Sequence, residues 1–269
     1  MLFLIMEKIK IFKISKPPII LMVKDVAIIV PAYNEEDNIG DVIKRLRNSI
    51  KGKIIVIDDA SKDNTGKIAK KNGALVIRHK ENKGKGEALV TGFREILENR
   101  PKIEYVVIID ADSQYDPEDV PKLIDALKKG NDYVVGARYW KRDVPFRHRF
   151  ANFLWRKSFN FFFGTDLLDS NCGYISMNRK AMKILSKGIY GGYIIENVML
   201  SKVVENNLKI KQVPVKVHYP EKRGGITGIR FFLGNFIFII EEGFKYRFGI
   251  ELKIYQRIVN TKFIFSKGG

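Results

Sequence analysis

Two carboxylates, Asp110 and Asp112, directly follow the apolar run Val106-Val107-Ile108-Ile109. Carboxylates this close repel one another unless a cation or a proton stands between them. A hard divalent ion, Mg2+ or Mn2+, suits carboxylate oxygens and diphosphate oxygens alike. Such an ion offsets charge that develops on a departing diphosphate. The same pair also suits a solvated turn ahead of a helix, so alone it leaves both readings open. Arg138, Arg149 and Arg223 offer forked donors for phosphate oxygens, or solvated surface positions. Gly84 and Gly86 let the backbone approach a ligand closely, or simply turn the chain into a helix. Glu196 is placed to deprotonate an acceptor, or to sit solvated on a helix.

Ordered elements must position these groups. Apolar runs at residues 26–30, 53–57, 74–77, 105–109 and 133–135 read as strands. Between them, Ile39, Val42, Ile43 and Leu46 recur at helical spacing, as do Leu89, Phe93, Ile96 and Leu97, then Val120, Leu123, Ile124 and Leu127. A further helix is expected at 65–71. Strands alternating with helices predict an α/β fold with a mostly parallel sheet covered on both faces. Ligands of such sheets sit beyond the carboxyl ends of the strands. The residues there are Pro31-Ala32-Tyr33-Asn34-Glu35, Asp58-Asp59, Asp110-Ala111-Asp112 and Gly136-Ala137-Arg138. A second, shorter stretch follows, with a strand at 173–177, a helix near Glu196 and an alternating strand through Ile210, Val213, Val215 and Val217.

The 269 residues are 45% hydrophobic and carry a formal net charge of +18. That composition supports a substantial core and excludes a disordered chain. The charge favours anionic partners, namely nucleotide diphosphates, nucleic acid or an acidic membrane surface, or equally reflects a lysine-rich proteome of the kind common in thermophiles. A lone cysteine, Cys172, excludes an internal disulfide and a cysteine-based zinc site, and is read as a buried, inert thiol. His79, His148 and His218 are scattered, with no metal-ligand spacing. Between Arg138 and Asn160, seven Arg and Lys face the single acid Asp143 and interleave with Trp140, Phe146, Phe150, Phe153, Trp155 and Phe159. That pattern suits phosphate headgroups with acyl chains, and also a single-stranded nucleic-acid surface. Residues 231–240 are apolar nearly all round, yet too short to span a bilayer. They lie in a membrane interface, or pack into the domain or a partner; Ile250, Ile254 and Ile258 at helical spacing, with Lys245, Arg247, Lys253, Arg257 and Lys262, favour the interface. The expected organisation is an extension at 1–24, a catalytic domain at 25–225, and an amphipathic, membrane-surface segment at 226–269.

The ordered set Pro31-Ala32-Tyr33-Asn34-Glu35-Glu36, Asp58 to Thr65, Asn82-Lys83-Gly84-Lys85-Gly86 and Asp110-Ala111-Asp112-Ser113-Gln114 resembles the inverting GT-A glycosyltransferases of family 2. Its nearest likeness is to the polyprenyl-phosphate transferases, the dolichyl-phosphate mannose and glucose synthases. The resemblance implies a GT-A nucleotide-sugar-binding fold and sugar transfer, with inversion, from a GDP- or UDP-sugar to a polyprenyl or dolichyl phosphate. It assigns nucleotide-sugar binding to Pro31, Tyr33, Asn34, Glu35, Asp58, Asp59, Lys85, Asp110, Asp112 and Arg223. It assigns Mg2+ or Mn2+ to Asp110, Asp112 and Gln114. Asp112, Arg138, Arg149 and Glu196 are the expected catalytic set, with Asp169, Gly173 and Tyr174 in a further family pattern. The chain departs from the pattern at Ala60, where the family often has Gly, and at Tyr115-Asp116 ahead of Pro117. An enzyme of this kind is expected as a peripheral protein on the cytoplasmic face of the cell membrane. Two alternatives stand beside it: a family 2 transferase with a non-lipid sugar acceptor, and a basic nucleic-acid-binding protein. Acidic clusters at the ligand edge argue against the second, and no nucleic acid is expected as a partner.

Overall fold

The computed structural model describes residues 24–138, 146–192, 194–218 and 226–252, together with Ile254. The extension at 1–23 and the C-terminal residues from 255 onward, with Arg257, Ile258 and Lys262, lie outside the described residues.

The apolar run at the start becomes the central strand. β1 (Val26–Ala32) is buried at every position, as befits a strand covered on both faces. β2 (Lys53–Asp58) and β4 (Tyr105–Ile108) flank it in parallel, and β3 (Leu75–Arg78) adds in parallel beyond β2. The crossovers are α1 (Ile39–Ser49), α2 (Thr65–Lys71) and α3 (Lys85–Asn99). α1 buries Ile39, Val42, Ile43 and Leu46, one face of the helix, against the sheet.

The second half completes the sheet. α4 (Val120–Lys128) leads to β5 (Tyr133–Arg138), and α5 (Phe146–Phe163) to β6 (Ile175–Asn178). α6 (Arg179–Leu185) and α7 (Ile195–Glu205) precede β7 (Ile210–Val215). The order is β3-β2-β1-β4-β6-β5-β7, with β6 antiparallel to both its neighbours and every other pair parallel. The expected α/β class and mostly parallel sheet are therefore what forms. β6 begins two residues later than expected and runs against its neighbours, a direction that an apolar run does not encode. β7 is an edge strand, and Pro214 is tolerated there because an edge leaves N–H groups unpaired.

The last helix, α8 (Ile226–Phe248), is one helix of 23 residues. The apolar segment at 231–240 is thus the middle of a longer helix that continues through Arg230 and Glu241-Glu242. Among the described residues no helix is long and apolar enough to cross a membrane. α8 packs on α5. Trp155 Nε1 donates to the Phe232 carbonyl (3.3 Å), the Phe162 and Phe244 rings lie 5.1 Å apart, and Phe163 stacks on Tyr246 at 5.1 Å. Phe238 and Ile239 are fully covered. The helices approach so closely at Gly243 that a Cβ there would stand 2.4 Å from Phe162 Cγ. Gly243→Val should therefore destabilise the protein by about 2 kcal/mol through overpacking. Urea denaturation checks this, and an unchanged midpoint would rule out so close a contact.

Candidate active site

The loops at the carboxyl ends of β1 and β2 are sewn together by short polar side chains. Asn34 N donates to Ser61 Oγ (3.0 Å), Glu35 N to Thr65 Oγ1 (2.8 Å) and Glu36 N to Asp63 Oδ2 (3.1 Å). Lys62 N returns a bond to Asn34 Oδ1 (2.8 Å). These side chains satisfy backbone groups that no strand ladder reaches. The arrangement demands left-handed backbone at Asn34 (φ 54), Ala60 (φ 62) and Ser113 (φ 60), three of the four non-glycine residues of that kind among those described. Such strain persists only where surrounding structure holds it. Asn adopts this conformation readily, whereas Ala does so at a cost. That cost is a physical reason for the glycine the family pattern favours at position 60.

Asp58 and Asp59 turn inward. Asp58 is fully buried and accepts from Ser61 N and Arg78 Nη1, each at 2.8 Å. Asp59 accepts from Lys83 N (2.9 Å) and Gly84 N (2.7 Å), and its Oδ1 lies 2.7 Å from His79 Nδ1. The other ring nitrogen of His79 meets Thr91 Oγ1 at 2.9 Å. The acid pair thus anchors Arg78 and the 83–86 loop. Sequence reasoning missed Arg78 and His79, although two basic residues at the end of β3 were a usable signal. Gly84 (φ 87) caps α3, and Gly86 N donates to the Gly191 carbonyl (3.2 Å).

At the centre, Lys85 Nζ lies 2.6 Å from Asp110 Oδ1 and 2.8 Å from Glu196 Oε1. Burial works against the charge of Lys85, but the two carboxylates outweigh it and hold the ammonium well above the usual lysine range. Gly173 closes over this group: a Cβ there would stand 2.8 Å from Asp110 Oδ2, 3.2 Å from Lys85 Nζ and 3.3 Å from Glu196 Oε1. The backbone of Gly173 is fixed in turn, its N–H donating to Tyr115 Oη (2.9 Å). Four segments distant in sequence, carrying Lys85, Asp110, Gly173 and Glu196, therefore meet at one point.

Asp112 and Gln114 form the adjoining rim, both half-buried. Gln114 N donates to Asp112 Oδ1 (3.1 Å), and the Gln114 carbonyl accepts from His218 N (2.8 Å). This carries the exposed His218 beside the carboxylate turn, which its isolation in the sequence did not suggest.

The arginines divide. Arg138 turns its fork onto the fully buried Asp169, through Nε (2.6 Å) and Nη2 (2.9 Å), and donates again to the Asn171 carbonyl (2.9 Å). Burial opposes its charge, Asp169 restores it, and the guanidinium stays above its ordinary range. Its fork is engaged within the protein, where the sequence expected phosphate. Arg149 is exposed on α5, and among the described residues no hydrogen bond or ion pair joins it to the Lys85 cluster. Arg223 lies outside the described residues, as do Trp140, Lys141, Arg142 and Asp143. Cys172 is buried, and burial pushes its thiol up to about 12, which fits the inert role expected of it.

A mixed, mostly parallel seven-stranded sheet with acids beyond the carboxyl ends of its strands matches the GT-A arrangement of glycosyltransferases. The chain belongs to glycosyl transferase family 2, whose family model matches residues 27–185. It is 33% identical over 223 residues to a UDP-N-acetylglucosamine–dolichyl-phosphate N-acetylglucosaminyltransferase of Methanococcus voltae, covering 74% of this chain and 87% of that protein. It is 26% identical over 213 residues to the polyprenol monophosphomannose synthase of Mycolicibacterium smegmatis, covering 74% and 79%. The fold is shared with glucosyl-3-phosphoglycerate synthase of Mycobacterium tuberculosis, solved with Mn2+, UDP and phosphoglyceric acid, at a TM-score of 0.66 and 22% identity over 82% of this chain and 78% of that one.

Gly173→Ala tests the central cluster. The added methyl should cost about 1–3 kcal/mol in stability and lower sugar transfer by about two orders of magnitude through displacement of Asp110 and Glu196. Thermal melting and a transfer assay read the two effects, and wild-type turnover in the variant would refute the closed geometry.

Proposed function

We propose that this transferase moves a sugar from a GDP- or UDP-sugar to a polyprenyl or dolichyl phosphate, inverting the anomeric carbon. The observation that carries the reading is the convergence of Lys85, Asp110 and Glu196 beneath Gly173, beside the Asp112–Gln114 turn and the loops after β1 and β2. Relatives named for dolichyl-phosphate and polyprenol acceptors support the lipid phosphate. The neighbour of similar fold solved with phosphoglyceric acid keeps a second reading in view, a soluble acceptor.

A divalent ion fits the donor set. Asp110 already draws a cation, Lys85, to within 2.6 Å, and Asp112 with Gln114 offers oxygen donors at the solvent edge. Among the described residues no three acids, histidines or cysteines are grouped to hold a metal unaided. Mg2+ commonly takes one or two carboxylates and completes its shell with substrate phosphates and water. Asp110, Asp112 and Gln114 are therefore the residues that would hold Mg2+ or Mn2+, and the ion would neutralise charge on the leaving diphosphate.

The remaining chemistry belongs to the chain's own residues. Pro31, Tyr33, Asn34 and Glu35 line the first loop against the nucleotide, and Arg78, held by Asp58, presents a half-exposed guanidinium there. Asp59 fixes the 83–86 loop, which aims Lys85 at the donor. An oxygen of the acceptor phosphate attacks the anomeric carbon, the new C–O bond forms as the bond to the diphosphate breaks, and the nucleoside diphosphate departs. A phosphate is already anionic at neutral pH, so no side chain need remove a proton. Glu196 then serves by holding Lys85, and Arg138 by holding the 169–174 segment. Arg149 and Arg223 remain candidates for the acceptor phosphate.

The acceptor places the enzyme at a membrane surface, and we assign it to the cytoplasmic face. We take residues 25–225 as the catalytic unit and 226–269 as the amphipathic, membrane-surface segment. Phe150, Phe153 and Phe161 of α5, Tyr246 and Phe248 at the end of α8, and Ile250 just beyond it are exposed, alongside exposed Arg149, Lys157 and Arg247. Apolar and cationic groups on one surface suit anionic headgroups.

Two outcomes follow. Mn2+ with UDP or GDP should raise the melting temperature of the wild type but not of Asp112→Asn, and that variant should lose about 2–4 kcal/mol of transition-state stabilisation. Full turnover in excess chelator would sink the metal role. In flotation, the protein should rise with anionic liposomes and be released by high salt, whereas Phe150→Ser/Phe153→Ser should stay at the bottom. If both float equally, the aromatic face is not the contact.

A further inference from the structure

Asn235 is the only polar side chain in the apolar run at residues 231–240, and it is fully buried. Its Oδ1 accepts from Asn197 Nδ2 at 2.7 Å. The same Asn197 amide donates its second hydrogen to Asn171 Oδ1 at 3.1 Å. Asn171 N donates to Asp169 Oδ1 (3.1 Å), and the Asn171 carbonyl takes Arg138 Nη2 (2.9 Å). A continuous buried polar path therefore runs from the middle of α8, through the first turn of α7, to the Arg138–Asp169 pair. Asn197 follows Glu196 directly, so the turn that Asn235 grips is also the turn that presents Glu196 to Lys85.

Apolar rings and branched chains pack nearly as well after a small slide of one helix along another. A buried amide does not, because an unmade bond leaves it desolvated and unpaired. One buried Asn can in this way fix the register of two helices at some loss of stability. Here that loss has a visible part: Asn197 Oδ1 is buried and, among the described residues, has no hydrogen-bond partner. A network kept despite an orphaned acceptor is better explained by what it positions than by the stability it adds.

We infer that Asn235 is a positioning residue for the transfer reaction: it locks α8 in register and, through Asn197 and Asn171, sets Glu196 and the 169–174 segment. The inference rests on the transferase reading above. Its consequence is that α8 belongs to the working site.

The experiment uses the full chain. Asn235→Ala should lower kcat about tenfold while the donor KM changes less than about twofold, since a small misplacement slows chemistry more than binding. The double variant Asn197→Leu/Asn235→Leu replaces that pair by apolar groups of similar size, leaves Asn171 Oδ1 without its donor, and should recover part of the melting temperature, yet kcat should stay low. A folded Asn235→Ala enzyme, or a double variant, with wild-type kcat would overturn the inference. Amide hydrogen exchange tests the coupling without catalysis. Asn235→Ala should speed exchange at residues 171–173 and 195–198 at least about fivefold, leaving β1 unchanged. Unchanged exchange there would overturn the coupling, even if the wild type transferred no sugar to any acceptor tried.

Discussion

Asp110 leaves the end of β4 and Glu196 opens α7, and the fold brings both carboxylates to one place, where they would repel one another if nothing stood between them. Lys85 stands there, at 2.6 and 2.8 Å. Much of the surrounding architecture serves that meeting. The 83–86 loop that delivers Lys85 is fixed by Asp59. Gly173 is confined to a residue without a side chain because the cluster lies directly beneath it. Tyr115 holds Gly173 from the other side. The cluster joins the half of the sheet around β1 to the half built from β5, β6 and β7, so its geometry is over-determined. Lys85 offsets only one of the two acids, so the cluster keeps a net negative charge before any ligand arrives.

Rigidity at the rim is achieved differently. The loops after β1 and β2 have no ladder partners, and backbone N–H groups there bond to Ser61, Thr65, Asp63 and Asn34 side chains instead. Left-handed residues at 34, 60 and 113 store strain where the chain must turn sharply past a ligand edge. Such loops need a stiff base, and β1, buried along its whole length between β2 and β4, provides it.

Strand and helix periodicity made the first half of the fold legible, because a strand buried on both faces reads as an unbroken apolar run and a covering helix as a 3.6-residue stripe. The carboxylate segments were legible for a related reason: they sit where such strands must end. What the sequence could not express was pairing across distance. Nothing local marks Asp169 as the partner of Arg138, or Asp58 as the partner of Arg78, and an arginine reads the same whether its fork meets phosphate or a buried acid. The direction of β6 was equally hidden. The apolar segment at 231–240 was visible, but the contacts that seat it were not, since Gly243 and Phe162 meet only after two helices have been placed side by side.

The packing of α8 changes how the basic, aromatic surface is to be understood. A helix apolar nearly all round has more greasy surface than one neighbour can cover. α8 buries Asn235, Phe238 and Ile239 against the domain and leaves Leu233, Tyr246 and Phe248 exposed. α5 does the same, covering Trp155, Phe159, Phe162 and Phe163 while exposing Phe150, Phe153 and Phe161. Arg247 ties the two outer faces together, its guanidinium lying 4.9 Å from the Phe161 ring centroid. One surface is therefore assembled from two helices whose inner faces are locked to the site by aromatic packing and by the Asn235–Asn197 bond. A contact made on that surface acts on elements that are already coupled to Glu196, rather than on a tethered appendage. Recruitment to a surface and alignment of the reacting groups would then be two effects of a single docked pair of helices.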